Sequence, residues 1–128
     1  MESTSRIKGI PLVVLIDPGA TDIFISLSTL EKCGLEAQVQ NDFAQAEMAS
    51  GRRQIVALLV KKCIMKLGGL VTKVKLYSTT LGAYAVIIAM DWLESHQAWV
   101  DYFENKVYCN DDFGKPAIIE GLQRDISL

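Results

Sequence analysis

Apolar and polar positions fall in short runs, each closed by turn-forming residues, a spacing that predicts β-strands rather than long helices. Pro11-Leu12-Val13-Val14-Leu15-Ile16 is an unbroken apolar run rich in β-branched residues. Such a run predicts a strand buried on both faces. It ends at Asp17-Pro18-Gly19-Ala20-Thr21, which reads as a turn, and Asp22 to Ser26 is predicted as a second short strand. Ser28-Thr29-Leu30-Glu31 has the form of a capping box, with Ser28 as N-cap and Glu31 three residues on. The helix it opens is short, because Gly34 is a natural stop after Cys33. Leu30 and Cys33 share one face of it by spacing.

From Gln38 to Leu81 the pattern predicts hairpins. Ser50-Gly51-Arg52-Arg53 is a polar turn between Glu47-Met48-Ala49 and Ile55-Val56-Ala57-Leu58. Lys66-Leu67-Gly68-Gly69 is a second turn, between Lys62–Met65 and Leu70–Tyr77. The last of these runs alternates apolar with polar residues, so one of its faces is predicted to be wet. Tyr84-Ala85-Val86-Ile87-Ile88 is apolar throughout and is predicted to be central. Asp91 and Glu94 pair as N-cap and third helical residue of a second short helix through Trp92, Leu93 and His96. Trp99–Phe103, the turn Glu104-Asn105-Lys106 and Val107–Cys109 predict a closing hairpin, after which the chain to Leu128 is polar and then mixed. The elements add up to an all-β, barrel-like fold with two small helices.

Composition narrows the chemistry. The chain has 128 residues, half of them apolar and 22% charged, which is a globular balance with room for a single domain. A net charge of −2 argues against a general nucleic-acid binder, which needs a basic face for phosphates. The longest apolar stretches, Ile10–Ile16 and Tyr84–Met90, fall far short of the ~20 residues of a membrane-spanning helix. The N-terminus has no apolar stretch behind a basic start, so no signal peptide is expected. Cys33, Cys63 and Cys109 are too widely spaced for a zinc set, and a sparse odd count suits free thiols in a reducing compartment. With His96 as the one histidine, an HExxH metal site is impossible, and a Cys-His nucleophile pair has no local support. No metal or cofactor is expected.

The segment that ordinary structure explains least is the first turn. Val14-Leu15-Ile16-Asp17-Pro18-Gly19 puts a carboxylate at the end of an apolar strand and follows it with a glycine that permits an unusual turn. An Asp that merely nucleates an Asp-Pro-Gly turn is the plain alternative. A second apolar strand, Val86-Ile87-Ile88, leading into a helix, comes about seventy residues later. The two segments together resemble the retropepsin-like aspartic proteases, above all those of Ty3/gypsy-type retrotransposon polyproteins of plants. That family carries Asp-Ser/Thr-Gly-Ala-Thr and then an aromatic-aliphatic strand. Here the first motif is Asp17-Pro18-Gly19-Ala20-Thr21, running into Asp22-Ile23-Phe24-Ile25-Ser26. The family's Tyr-Asp-Val-Ile-Leu-Gly-Met-Asp-Trp-Leu is matched by Tyr84-Ala85-Val86-Ile87-Ile88-Ala89-Met90-Asp91-Trp92-Leu93. Val100–Phe103 with Lys106-Val107 resembles its closing hairpin. The likeness runs from about residue 7 to about 121 and implies one protease domain over 1–128 with short tails.

The resemblance implies a closed acid-protease barrel with a flap hairpin and one or two short helices. It implies an aspartic endopeptidase with Asp17 as the catalytic carboxylate and Pro18, Gly19, Ala20 and Thr21 as the active-site loop. Ile87, Ile88 and Ala89 would support that loop. Ala49, Ser50, Gly51, Arg52 and Arg53 fall where the family's substrate-binding flap lies. Two carboxylates sharing a proton are needed, and one chain brings one motif, so the active unit is expected to be a homodimer. The expected substrate is the protein's own Gag-Pol polyprotein, in the cytoplasm or within retrotransposon particles. Asp91 and Asp101 read as structural acids, and Asp22 is open because it adjoins the motif. Met65 and Met90 read as core filler, Trp92 and Trp99 as core or interface aromatics.

Two departures stand out. Pro18 replaces the family's Ser or Thr, whose hydroxyl hydrogen-bonds across the dimer; proline has no hydroxyl and no N–H. Ala89 replaces glycine. The N-terminal strand before Gly9 is expected to be short. These features leave an alternative: a catalytically impaired or domesticated retropepsin-fold module for dimerisation or peptide binding. An unrelated small β-barrel binding domain would leave both motifs as coincidence.

Overall fold

Glu2-Ser3-Thr4-Ser5-Arg6-Ile7 is too polar to announce itself as a strand, yet it forms one, with Ser3, Ser5 and Ile7 pointing inward. Burying two serines is tolerated because each hydroxyl finds a backbone acceptor, Glu120 C=O at 2.7 Å and Lys66 C=O at 2.9 Å. The N-terminal strand is therefore longer than expected. The computed structural model describes residues 1–47, 53–79 and 84–123. In chain order the elements are β1 (Glu2–Ile7), β2 (Ile10–Ile16), β3 (Phe24–Ser26), α1 (Leu27–Lys32), β4 (Gln38–Glu47), β5 (Arg53–Leu67) and β6 (Leu70–Thr79). They continue with β7 (Val86–Ile88), α2 (Met90–Ser95), β8 (Trp99–Asp101), β9 (Lys106–Asn110) and β10 (Pro116–Glu120).

Strands β1-β2-β7-β3-β6-β5 are hydrogen-bonded in that order, and the β1–β5 pairing closes them into a barrel. Strand β4 pairs with β5 as a further strand of the same sheet. The three-stranded sheet β10-β9-β8 lies beside the barrel. Two tight turns set the register. Lys8 and Gly9, at φ 50° and 77°, join β1 to β2, and Gly68-Gly69 joins Leu67 to its partner Leu70. Two-residue turns of this hand match the twist of the strands they connect. Side chains alternate as the pleat requires. In β6, Leu70, Thr72, Val74 and Leu76 are buried while Val71, Lys73 and Lys75 face out, which is the one wet face expected. The core gathers Ile7, Val14, Ile16, Ile25, Met65, Leu76, Ile88, Trp92 and Ile119, each at most 3% exposed.

Several expectations need correction. Strand β2 is not buried on both faces: Val13 is 44% exposed, because it faces the outside of the barrel. The second strand is shorter than Asp22–Ser26, and β8 stops at Asp101, whose carboxylate accepts the Glu104 N–H and turns the chain. Strand β10 lies in the tail that the sequence left mixed, anchored by buried Ile119 opposite Val107. Met65 is core, but Met90 is 39% exposed at the first turn of α2. Trp92 is buried, whereas Trp99 is exposed and stacked on Tyr108.

The helix caps also move. Ser26, not Ser28, caps α1: its Oγ accepts the Thr29 N–H at 3.2 Å. The chain passes straight from β3 into α1, so the last extended residue is already placed as the cap. Gly34 ends the helix as expected, at φ 60°, with Leu35 N–H reaching Leu30 C=O and Gly34 N–H reaching Glu31 C=O. In α2 the cap position is Ala89, not Asp91, and no side chain caps it. Asp91 sits within the first turn and accepts the Trp92 N–H at 2.6 Å. The helix closes on Gln97 at φ 49°, with the same pair of bonds that Gly34 makes in α1.

Candidate active site

Strands β2 and β7 run parallel, with Val14, Leu15 and Ile16 opposite Val86, Ile87 and Ile88. Both are apolar, so they sit side by side in the barrel wall and deliver the next residues of the chain to the same end. Asp17 comes directly after β2, and Ala89 and helix α2 come directly after β7. The Asp17 N–H donates to Ile88 C=O at 2.9 Å, adding one rung to the ladder. Its side chain then closes the turn: Oδ1 accepts the Gly19 N–H at 2.9 Å, and its backbone C=O accepts the Ala20 N–H at 3.1 Å. Gly19 is not among the described residues with left-handed backbone, so the expected unusual glycine conformation is replaced by an Asx-type turn.

The loop is held from beneath and from one end. Ala20 is buried with Phe24, Ile87 and Ala89 in a small apolar cluster, against which Leu15, Tyr77 and Tyr84 pack. Its C=O accepts the Met90 N–H at 2.9 Å, and Thr21 C=O accepts the Asp91 N–H at 3.3 Å. The first N–H groups of a helix have no partner within it. Here the Asp17 loop supplies the acceptors, which explains why α2 does without a capping side chain. Asp17 is half-buried, while Pro18, Gly19 and Thr21 are exposed. The loop residues Asp17, Pro18, Gly19, Ala20 and Thr21 and the strand residues Ile87, Ile88 and Ala89 thus come together.

Of the segment expected to form a flap, the structure describes only a hairpin's two strands. Strands β4 and β5 form a hairpin in which Ala44–Glu47 pair with Arg53–Val56, after an irregularity between Val39 and Ala44. Arg53 opens β5 opposite Glu47. Ala49, Ser50, Gly51 and Arg52 lie outside the described residues.

The other acids sort themselves by contact. Asp22 accepts a hydrogen bond from the Thr21 hydroxyl at 3.2 Å. Partial burial pushes the Asp91 carboxyl above the usual carboxylate range, against the hydrogen bond from Trp92 N–H, and the charge of Asp22 adds to the rise. Burial pushes the Cys63 thiol up to about 11, and Cys33 and Cys109 are raised by burial too. All three are buried, and burial disfavours their thiolate forms. The His96 ring nitrogens face Trp92 C=O and Ser95 Oγ on one side and Asp112 on the other, so the histidine is engaged elsewhere than with a thiol. Among the described residues no three His, Cys, Asp or Glu side chains assemble as a metal-ligand set.

One polar cluster has no counterpart among the motifs of the sequence. Asp112, in the turn between β9 and β10, takes the Thr72 hydroxyl at 2.6 Å, the Lys73 N–H at 2.9 Å and His96 Nε2 at 2.7 Å. Thr72 Oγ1 in turn accepts the Trp92 indole N–H at 3.0 Å, and the His96 ring stacks on Trp92 with centroids 4.0 Å apart. Partial burial of Asp112 opposes its charge, but the bonds from Thr72, Lys73 and His96 outweigh it and hold the carboxyl below the usual range. No sequence signal joins these residues, because 16 to 40 positions separate Asp112 from its partners.

Residues 13–116 match the PEG10/RTL1 protease domain. No curated protein matches the sequence. Among solved structures, the retroviral protease-like domain of Ddi1 from Leishmania major is similar, with a TM-score of 0.73 at 19% identity over 98% of this chain and 95% of that one. A protein of unknown function from Legionella pneumophila is a more distant likeness, with a TM-score of 0.46 at 12% identity over 73% of this chain and 83% of that one. The barrel is of the retroviral protease-like fold.

Proposed function

The chain belongs to the PEG10/RTL1 protease domain family, and from that premise we propose that it is an aspartic endopeptidase working as a homodimer, with Asp17 of each copy as the catalytic pair. The observation that carries this reading is the Asp17 loop. A half-buried carboxylate is fixed by the Gly19 N–H and by the parallel β2–β7 ladder, at a place where neighbouring loop residues are exposed. One carboxylate is half of what the chemistry requires. In a two-fold pair, one Asp17 takes a proton from a water as that water attacks the peptide carbonyl carbon. The other, protonated, gives its proton to the carbonyl oxygen. The resulting tetrahedral diol then collapses: the first Asp17 gives its proton to the leaving nitrogen, the C–N bond breaks, and the second Asp17 takes the proton of one diol hydroxyl as the new carbonyl forms. Symmetry makes the interface isologous.

The substrate in this reading is an extended polypeptide, bound by strand addition beneath the β4–β5 hairpin, with backbone hydrogen bonds giving affinity and side-chain pockets giving specificity. The finer reading is a Ty3/gypsy-type retrotransposon Gag-Pol polyprotein, cut in the cytoplasm or inside particles. It rests on the paired motifs around Asp17 and Ile87-Ile88. A second reading, an impaired module that dimerises or binds peptides, is favoured by Pro18, which is exposed and offers neither hydroxyl nor N–H to brace a partner.

The test is cleavage of a Gag-Pol polyprotein by the wild-type chain and by Asp17→Asn, with the mass of both in solution. Cleavage by a dimeric wild type and none by a folded Asp17→Asn is the expected result. Cleavage by Asp17→Asn overturns the assignment. Two inactive proteins that both dimerise establish the second reading.

A further inference from the structure

The cluster around Asp112 binds Trp92 and His96 of α2, the helix whose first N–H groups donate to the Asp17 loop. Trp92 and His96 are both tied to it. Trp92 binds through its indole N–H to Thr72, and His96 binds through Nε2 to Asp112 while stacking on the Trp92 ring. These two residues sit in the first turn and at the C-cap of α2. A six-residue helix is only about 9 Å long, so fixing both of them fixes its rotation and its height. Strand β6 supplies the fixed base: Thr72 is 1% exposed, and Lys73 gives Asp112 its backbone N–H. In the same first turn as Trp92, α2 spends its first two N–H groups on Ala20 and Thr21 of the loop, and Ile88, two residues before the helix, holds the Asp17 N–H. Because Ala89 has no capping side chain, those loop carbonyls are the acceptors in that turn.

We propose that Asp112, with Thr72, His96 and Trp92, is a positioning group for the Asp17 loop, acting through α2. The catalytic consequence rests on the protease reading; the mechanical coupling does not. Asp112 carries two roles that a simple brace does not need together. It receives the Thr72 hydroxyl, which leaves that oxygen's lone pairs free to accept from Trp92, and it orients the ring that stacks on the same indole. Loss of the Asp112 carboxylate therefore loosens both grips on α2 at once.

The test uses Thr72→Val, which keeps a β-branched side chain in β6, and Asp112→Ala, which removes the Oδ1 that both Thr72 and His96 share. Amide hydrogen exchange is read at Asp17, Met90 and Asp91, and across the β1–β2 ladder as a reference. Roughly tenfold faster exchange at the three loop and helix amides is expected, the loss of about one hydrogen bond, with the reference unchanged. Thr72→Ser should restore protection. No change at Met90 and Asp91, or the same factor at every amide, overturns the proposal, because the cluster is then a stabilising brace and nothing more. On a cleaved peptide, both variants should lower kcat and leave KM unchanged; a change in KM alone removes the catalytic part. If wild type and Asp17→Asn cleave alike, the protease reading fails, and the exchange result still decides the coupling.

Discussion

Replacing Ala89 by glycine, the residue the resembled family carries, should weaken the fold and leave catalysis no faster. Ala89 is fully buried, and its methyl packs with Ala20, Phe24 and Ile87 directly under the Asp17 loop. Its backbone, at φ −115° and ψ −176°, is ordinary extended chain, so nothing in the local conformation demands glycine. Removing the methyl forfeits about 0.8 kcal/mol of apolar burial. The freer unfolded chain adds roughly 0.5–1 kcal/mol. Glycine is usually preferred to alanine at a helix N-cap, but that preference has little to act on here. Ala89 is out of water, and the first-turn N–H groups already donate to Ala20 and Thr21. The net expectation is a loss of about 1.3–1.8 kcal/mol, which for a chain of this length lowers Tm by roughly 5–7 °C. Thermal unfolding followed by circular dichroism measures the stability, and peptide cleavage at matched concentration measures the rate. A Tm at or above wild type, together with faster turnover, refutes the reasoning. That outcome would mean the methyl crowds the loop and does not support it.

Three further outcomes are expected. Gln97→Gly should raise Tm by a few degrees, because Gln97 holds a left-handed backbone that costs an L-residue roughly 1–2 kcal/mol, only part of it offset by its bond to Asn110; an unchanged or lower Tm rejects this. Asp91→Asn should stabilise the fold at neutral pH and not in acid. A carboxyl raised on folding favours the folded state below its ordinary pKa, and that advantage disappears as pH rises through the raised value, where burial and the charge of Asp22 work against it. Chemical denaturation at several pH values reads the difference, and a gain that persists below the carboxylate range contradicts it. Pro18→Ser should tighten the proposed dimer by about 1 kcal/mol per recovered hydrogen bond, measured by sedimentation; an unchanged or weaker dimer rules out the missing brace.

The range of the interactions involved decides how much of the fold is legible in the sequence. Apolar runs such as Tyr84–Ile88 and the alternation of Leu70–Tyr77 are local, and they show the burial they imply in β7 and β6. The barrel-like all-β class is legible for that reason. Strand β1 is not legible as a full-length strand, because its inward residues include Ser3 and Ser5, whose burial makes sense only once Glu120 and Lys66 supply acceptors. Strand β10 is hidden in the same way: Ile119 is buried by residues distant in sequence, with Val107 opposite it and the barrel core around it. The expected helix starts are off by two residues. Ser28 and Asp91 have the right chemistry for caps, but β3 and β7 lead directly into their helices, and that junction decides which residue occupies the cap.

The candidate site divides along the same line. Asp17 can be singled out because a strand end, a turn and a carboxylate are neighbours in sequence, and Ile87-Ile88 because an apolar strand ahead of a helix is a local pattern. Why these segments cooperate is not legible. The Ile88 C=O on the Asp17 N–H, and the Ala20 and Thr21 carbonyls on α2, are backbone contacts to which any residue but proline could donate. Asp112 lies at the far end of this logic. Its role depends on meeting Thr72 and His96 across 40 and 16 positions, and an aspartate in Asn-Asp-Asp-Phe-Gly reads as an ordinary turn residue. Its neighbour Asp111 is one: Asp111 Oδ1 accepts the Phe113 and Lys115 N–H groups and builds the turn. The turn therefore has its own aspartate, and Asp112 is left free to face β6 and α2. Adjacent residues of the same type divide the work, one closing the local turn and the other reaching the helix that carries the Asp17 loop.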